Sequence, residues 1–254
     1  MRPDALRGAG HDCATAVVFL TRVPVPWHIP DLEQRLPRAT PWFPLVGLGI
    51  GAVGALAWAL VALLGDPLLA AIAAVAATAL VTGAFHEDGL ADTWDGLGGS
   101  PECERALAIM KDSRIGTYGT LAVVLVVLAR IAALSALAGA AVAALLGAHV
   151  LARLSSLPLI RALPYARSDG GTGKPFAGGV SRGGLAAAAA FSAAVSLLLW
   201  GFIGAVAVWL AGAAVVVVTG WWYYRRLGGI TGDTLGATNQ LVELAAYLAL
   251  LALL

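Results

Sequence analysis

Charge is scarce in this 254-residue chain, with Asp, Glu, Lys and Arg at 12% against 59% apolar residues and a net charge of only +1. Such a balance gives no basic footprint for nucleic acid. Cysteine is scarcer still: Cys13 and Cys103 are too few for a disulfide framework and too far apart for a CxxC metal site, and read as small buried hydrophobes. A phosphate-binding P-loop is also missing. The nearest sequence, around Gly173-Lys174, has Ser168 where the motif needs glycine and Pro175 where it needs Ser or Thr.

What the chain has instead is apolar length. A mean hydropathy of +0.84 exceeds what a soluble domain of this size can hide. Several runs approach the roughly 20 residues that cross a bilayer, too many and too late in the chain for a signal peptide. The reading is an all-α polytopic membrane helix bundle, one domain over residues 1–254, with about seven transmembrane helices and a cytoplasmic surface helix.

Residues 1–41 form an interfacial segment, broken by Pro24 and Pro26. Spans follow at about 42–64, 67–85, 117–137, 140–163, 185–203, 204–224 and 236–254. Gly47, Gly51 and Gly54 share one face of the first, a surface for close helix packing. Asp66 with Pro67 starts the second, and nothing from there to Leu97 stops it, so it is expected to run on past the membrane surface. Ser100, Pro101 and Glu102 then announce the surface helix, with Cys103, Leu107 and Met110 as its apolar stripe. The connections 86–116, 164–184 and 225–235 and the N-terminal segment carry nearly all Lys and Arg, which is expected to place them in the cytoplasm.

Against that background residues 82–119 stand apart, since they hold seven of the fifteen carboxylates. Asp88, Asp92 and Asp95 are spaced i, i+4, i+7 and fall on one helical face. Three carboxylates so stacked repel one another unless a cation sits among them, and all-oxygen donors suit Mg²⁺, which often bridges carboxylates and substrate phosphates. Glu87 is placed for a second metal or for water, and the bland alternative for the whole group is a solvated acidic face. His86 is either a proton acceptor or an interfacial histidine holding a carboxylate. Arg105, Lys111 and Arg114 are candidate phosphate clamps or ordinary membrane-surface cations. Asp112, between two of them, is placed to complete a metal site or take a proton.

Two further connections carry signals. Residues 168–184 are glycine-rich and offer Lys174 and Arg182 to a polyphosphate. In 228–237, Asp233 or Thr234 is expected to cap the last helix, whose exposed amides favour an anion. Glu243, about 15 Å further along the same helix, is an intramembrane carboxylate with Arg130 or Arg153 as expected partner.

Five stretches in chain order resemble the cobalamin synthase (adenosylcobinamide-GDP ribazoletransferase) family: FLTRVPVP (19–26), FPLVGLGIGA (43–52), TGAFHEDGLADTWDG (82–96), IMKDSRIGTYG (109–119) and GGITGDTLGATNQ (228–240). The resemblance implies a bacterial inner-membrane transferase that uses Mg²⁺ to join adenosylcobinamide-GDP to α-ribazole or its 5′-phosphate with release of GMP. On that reading Glu87, Asp88, Asp92 and Asp95 hold metal, and Asp112 is the expected base with Asp95 or His86 as rivals. Arg105, Lys111, Arg114, Lys174, Asp233 and Thr234 face the nucleotide. The rival readings are a CDP-alcohol phosphotransferase acting on a lipid headgroup and a cation-coupled transporter. Self-association into a homo-oligomer stays open.

Overall fold

The computed structural model describes residues 3–167 and 179–254. Its α-helices are α1 (Pro3–Leu20), α2 (Leu32–Ala39), α3 (Phe43–Ala62), α4 (Pro67–Thr82), α5 (Phe85–Gly99), α6 (Cys103–Ile109), α7 (Thr117–Leu137), α8 (Ala141–Ala162), α9 (Arg182–Leu227) and α10 (Gly232–Leu251). Among the described residues the one β feature outside these helices is an isolated bridge between Tyr165 and Ile230. The expected all-α bundle is therefore present.

By length and apolar composition three helical stretches can cross a membrane, Leu32–Ala62, Thr117–Ala162 and Arg182–Leu227, or four if α4 and α5 count as one bent span. The expected count of seven is not established on that basis. The two 46-residue stretches would each be roughly 69 Å long if straight, over twice a bilayer core. Neither is straight. The first is broken at Ala138 (φ 37°, ψ −99°), and Arg130 and Arg153 on either side of that break both reach Glu243. The second is broken at Gly201 (φ 63°, ψ −171°), and Trp209 Nε1 donates to Ser196 Oγ at 3.1 Å across it. Thirteen residues of straight helix would hold those two roughly 20 Å apart, so α9 folds back on itself. The break lies three residues before the expected division.

The glycine stripe on α3 packs as expected. A Cβ at Gly51 would meet the Leu145 carbonyl oxygen at 2.6 Å, and one at Gly47 would overlap that of His149. Small residues thus let α3 lie backbone to backbone on α8. Asp66 caps α4, accepting from the Leu68 and Leu69 amides at 2.8 and 3.2 Å.

The continuous helix expected from Pro67 to Leu97 is not formed. Gly83 (φ 65°) and Ala84 (φ 56°) are both left-handed, and α5 leaves α4 at 89°. Glycine takes that conformation without strain and ends a helix there. Arg22 explains why the chain turns at this point: its amide donates to the Val81 carbonyl at 2.7 Å, and its side chain fills the space where a Cβ on Gly83 would be. The acidic segment is thereby turned across the bundle, outside the α4 span, onto the starts of α7 and α10.

The surface helix is shorter than expected. Ser100 Oγ accepts from the Glu102 amide at 3.1 Å, and α6 begins after it at Cys103. Its buried side, Ala106 and Met110, closes on Gly96 of α5, where any side chain would collide with Met110.

Candidate active site

The centre of the site is the crossing of α5 and α10. A Cβ on Gly89 would lie 2.8 Å from the Asp233 carbonyl oxygen and 3.1 Å from its Cα, and one on Gly236 would lie 3.4 Å from the Gly89 Cα and the His86 backbone. The two backbones touch through glycines. Thr231, rather than Asp233 or Thr234, caps α10: its hydroxyl accepts from the Thr234 amide at 3.2 Å, and the Thr234 hydroxyl accepts from the Thr231 amide at 2.9 Å. Thr234 is buried and structural. Asp233 is left free of capping and joins the acids of α5.

The three aspartates expected to act together separate into two roles. Asp95 is buried, and both its oxygens accept amides at the start of α7, from Gly116 at 2.6 Å and Gly119 at 2.8 Å. Asp88 is exposed and Asp92 half-buried one turn along. Burial pushes the Asp92 carboxyl up to about 7, helped by Asp233, Asp88 and Asp95, while Arg167 opposes the shift. Carboxylates so crowded are short of positive charge. Among the described residues no three or more His, Cys, Asp or Glu side chains are placed to hold a metal ion together. Mg²⁺ does not require such a group, because it usually takes one or two carboxylates and fills its shell with water and substrate phosphate. Asp88 and Asp92 on α5, with Asp233 close enough to act on Asp92, offer oxygen donors of that kind.

Glu87 points elsewhere. It receives Arg130 Nη1 at 3.2 Å, and its second oxygen is buried without a partner. His86 is buried, lies edge-on to Phe85 at 5.3 Å, and has an unpartnered Nδ1. With Phe19, Phe43, Arg153 and Asn239 it lines a cavity of about 30 Å³, space for a water.

The expected phosphate clamps Arg105, Lys111 and Arg114 lie exposed on the segment that follows α5. Arg105 is exposed on α6. Arg114 is exposed and grips Asp112 with Nη2 at 2.6 Å and Nε at 3.0 Å. That pairing holds the Asp112 carboxyl down at about 2, so the acid expected to be the base is an exposed, ion-paired carboxylate. Lys111 lies in the same exposed turn. Lys174 lies outside the described residues, and Arg182 is exposed as the first residue of α9.

Beneath the acids sits a buried ionic network. Arg130 reaches Glu243 at 2.5 Å and Gln240 at 2.6 Å, Arg153 lies 3.7 Å from Glu243 and 2.9 Å from His149 Nδ1, and Tyr247 donates to Glu243 at 2.9 Å. Both arginines anticipated for Glu243 are its partners. A carboxylate so compensated is a tie between α7, α8 and α10, and through Glu87 it also holds α5. It is not an open cation site of the kind a transporter needs.

Sequence reasoning passed over Arg167. Its Nη2 lies 2.7 Å from Asp233 Oδ2 and its side chain is 7% exposed. The only available signal was a cation just ahead of a glycine-rich stretch.

Comparison with known proteins identifies the family. A family model described as Cobalamin-5-phosphate synthase matches residues 12–251. A Leptothrix cholodnii protein named adenosylcobinamide-GDP ribazoletransferase is 46% identical over 247 residues, covering 93% of this chain and 93% of its own length. Proteins of the same name from Rhizobium etli and Vibrio cholerae are 45% identical over 264 residues (94% and 95% covered) and 42% over 244 (94% and 92%). No solved structure matches the chain.

Proposed function

The chain belongs to the cobalamin-5-phosphate synthase family, and on that premise we propose that it is an adenosylcobinamide-GDP ribazoletransferase. It transfers the adenosylcobinamide phosphate group to α-ribazole or its 5′-phosphate and releases GMP, the last assembly step of cobalamin. The observation that carries the reading is the glycine contact between α5 and α10, which brings Asp233 to Asp88 and Asp92.

In this mechanism a ribazole hydroxyl attacks the phosphorus bonded to cobinamide. The bond from that phosphorus to the bridging oxygen breaks, GMP departs with the oxygen, and the hydroxyl proton passes to a base. Asp88 and Asp92, beside Asp233, would hold Mg²⁺, which when bound supplies positive charge against the diphosphate and the departing GMP. Of the bases expected from the sequence, Asp112 is engaged by Arg114 and Asp95 by two amides. His86 Nδ1 carries no such bond, and it is our assignment for the proton acceptor. Asp95 fixes the start of α7 against α5 and so the angle at which the acids are presented. We place this end of the bundle in the cytoplasm, from the Lys and Arg of its connections.

The test is a paired assay on protein reconstituted in liposomes. With adenosylcobinamide-GDP and α-ribazole, GMP and the joined corrinoid should form in equal amounts and only with Mg²⁺. CMP release from a CDP-lipid and an alcohol, without reaction of the corrinoid, would instead support the lipid phosphotransferase.

A further inference from the structure

Among the described residues, the cation paired with the acid cluster is Arg167, which the sequence did not single out. We propose that Arg167 binds the diphosphate of the nucleotide-bearing substrate, taking the part expected of Arg105, Lys111 and Arg114. The assignment rests on the phosphotransferase reading above and names a further binding residue within it.

The backbone puts Arg167 in place. The Ala166 amide donates to Ile230 at 2.8 Å and the Ile230 amide to Pro164 at 2.9 Å, a short parallel pairing that runs beside the start of α10. Gly229 permits it, because a side chain there would overlap the Pro164 carbonyl. One residue beyond the pairing, the guanidinium meets Asp233, the residue whose backbone touches Gly89. Arg167 is thus tied to α10 at the point where that helix crosses α5.

Its state is that of a binding group rather than a surface charge. The side chain is 7% exposed, whereas that of Arg114 is 86% exposed. Its Nε is buried with no hydrogen-bond partner, an expensive omission for a charged donor. A planar fork with an unused donor, beside carboxylates suited to a divalent cation, matches a phosphate oxygen pair better than a point charge would. The diphosphate of a nucleoside diphosphate ester offers such oxygens.

Full-length protein in liposomes tests this with each substrate varied in turn. In Arg167→Ala the KM for adenosylcobinamide-GDP should rise at least about tenfold and kcat/KM fall about 10²-fold, the scale of one charge-assisted phosphate contact. The KM for α-ribazole should move less than about twofold, and Arg167→Lys should recover part of the loss. A latch that only holds residues 164–167 to α10 would shift both KM values together and lower the folded yield, and that pattern overturns the proposal. Equilibrium binding of GDP with Mg²⁺ gives a readout independent of turnover. Affinity about tenfold weaker in Arg167→Ala, or in Arg167→Lys if the alanine variant does not insert, supports the assignment, and unchanged affinity refutes it. If the parental protein binds GDP through Arg167 yet releases no GMP, the transferase reading fails while the site stands.

Discussion

Gly89 of α5 and Asp233 of α10 meet backbone to backbone, so closely that the smallest side chain at 89 would come within 2.8 Å of the Asp233 carbonyl oxygen. Gly89→Ala must therefore separate the helices and with them the acids they carry. Displacement of a reacting constellation by about 1 Å can cost about 10²-fold in rate. GMP release by Gly89→Ala should fall on that scale while the folded yield in detergent stays near parental.

Asp92 makes the metal-free fold sensitive to pH. Its carboxyl is raised from 3.8 to about 7, so the folded state holds a proton that the unfolded chain has lost. The sign follows: stability is fully present below about pH 4 and declines as pH rises through 7, where Asp92 must ionise beside Asp88, Asp95 and Asp233 with Arg167 as the opposing charge. Melting temperatures with a chelator should fall across that window, Mg²⁺ should reverse the fall, and Asp92→Asn should flatten it.

Asp95, by contrast, should behave as a helix cap. Asp95→Ala removes the acceptor for the Gly116 and Gly119 amides and should cost about 0.5–2 kcal/mol. The loss should be the same with and without Mg²⁺ in thermal unfolding, which a metal ligand would not show.

The buried network should respond more sharply. Arg130→Met leaves Glu87 and Gln240 without their cation and Glu243 with the Tyr247 hydroxyl at 2.9 Å, His149 at 3.4 Å and Arg153 at 3.7 Å. Removing one member of a buried pair typically costs about 3–5 kcal/mol. Unfolding of the reconstituted protein should show that loss, and adding Glu243→Leu should restore part of it.

The spacing of Asp88 and Asp92 was legible because helical periodicity depends only on sequence separation, and the Asp66 cap was legible because capping is local. Asp95 shared their face, yet its partners come from α7, and no local pattern reveals an acceptor for amides more than twenty residues away. The break at Gly83 and Ala84 was hidden for the same reason: a lone glycine tolerates a helix, and Arg22 from a distant segment tips it into the left-handed turn. Glu243 announced itself by its cost in an apolar span, and with it the arginines. Arg167 could not be found, since its importance arises from the pairing of residues 164–166 with Ile230. The glycines at 89 and 236 were visible as letters, but their use as a contact between two helices depends on the tertiary crossing.

The most direct test of the account is GMP release by Asp92→Asn in liposomes, measured alongside parental protein at saturating adenosylcobinamide-GDP, α-ribazole and Mg²⁺. Loss of one preorganised charge contact at the transition state should lower the rate by about 10²–10³-fold in protein that inserts and melts normally. Release at the parental rate from such protein would contradict the assignment of the α5–α10 acids to the reaction.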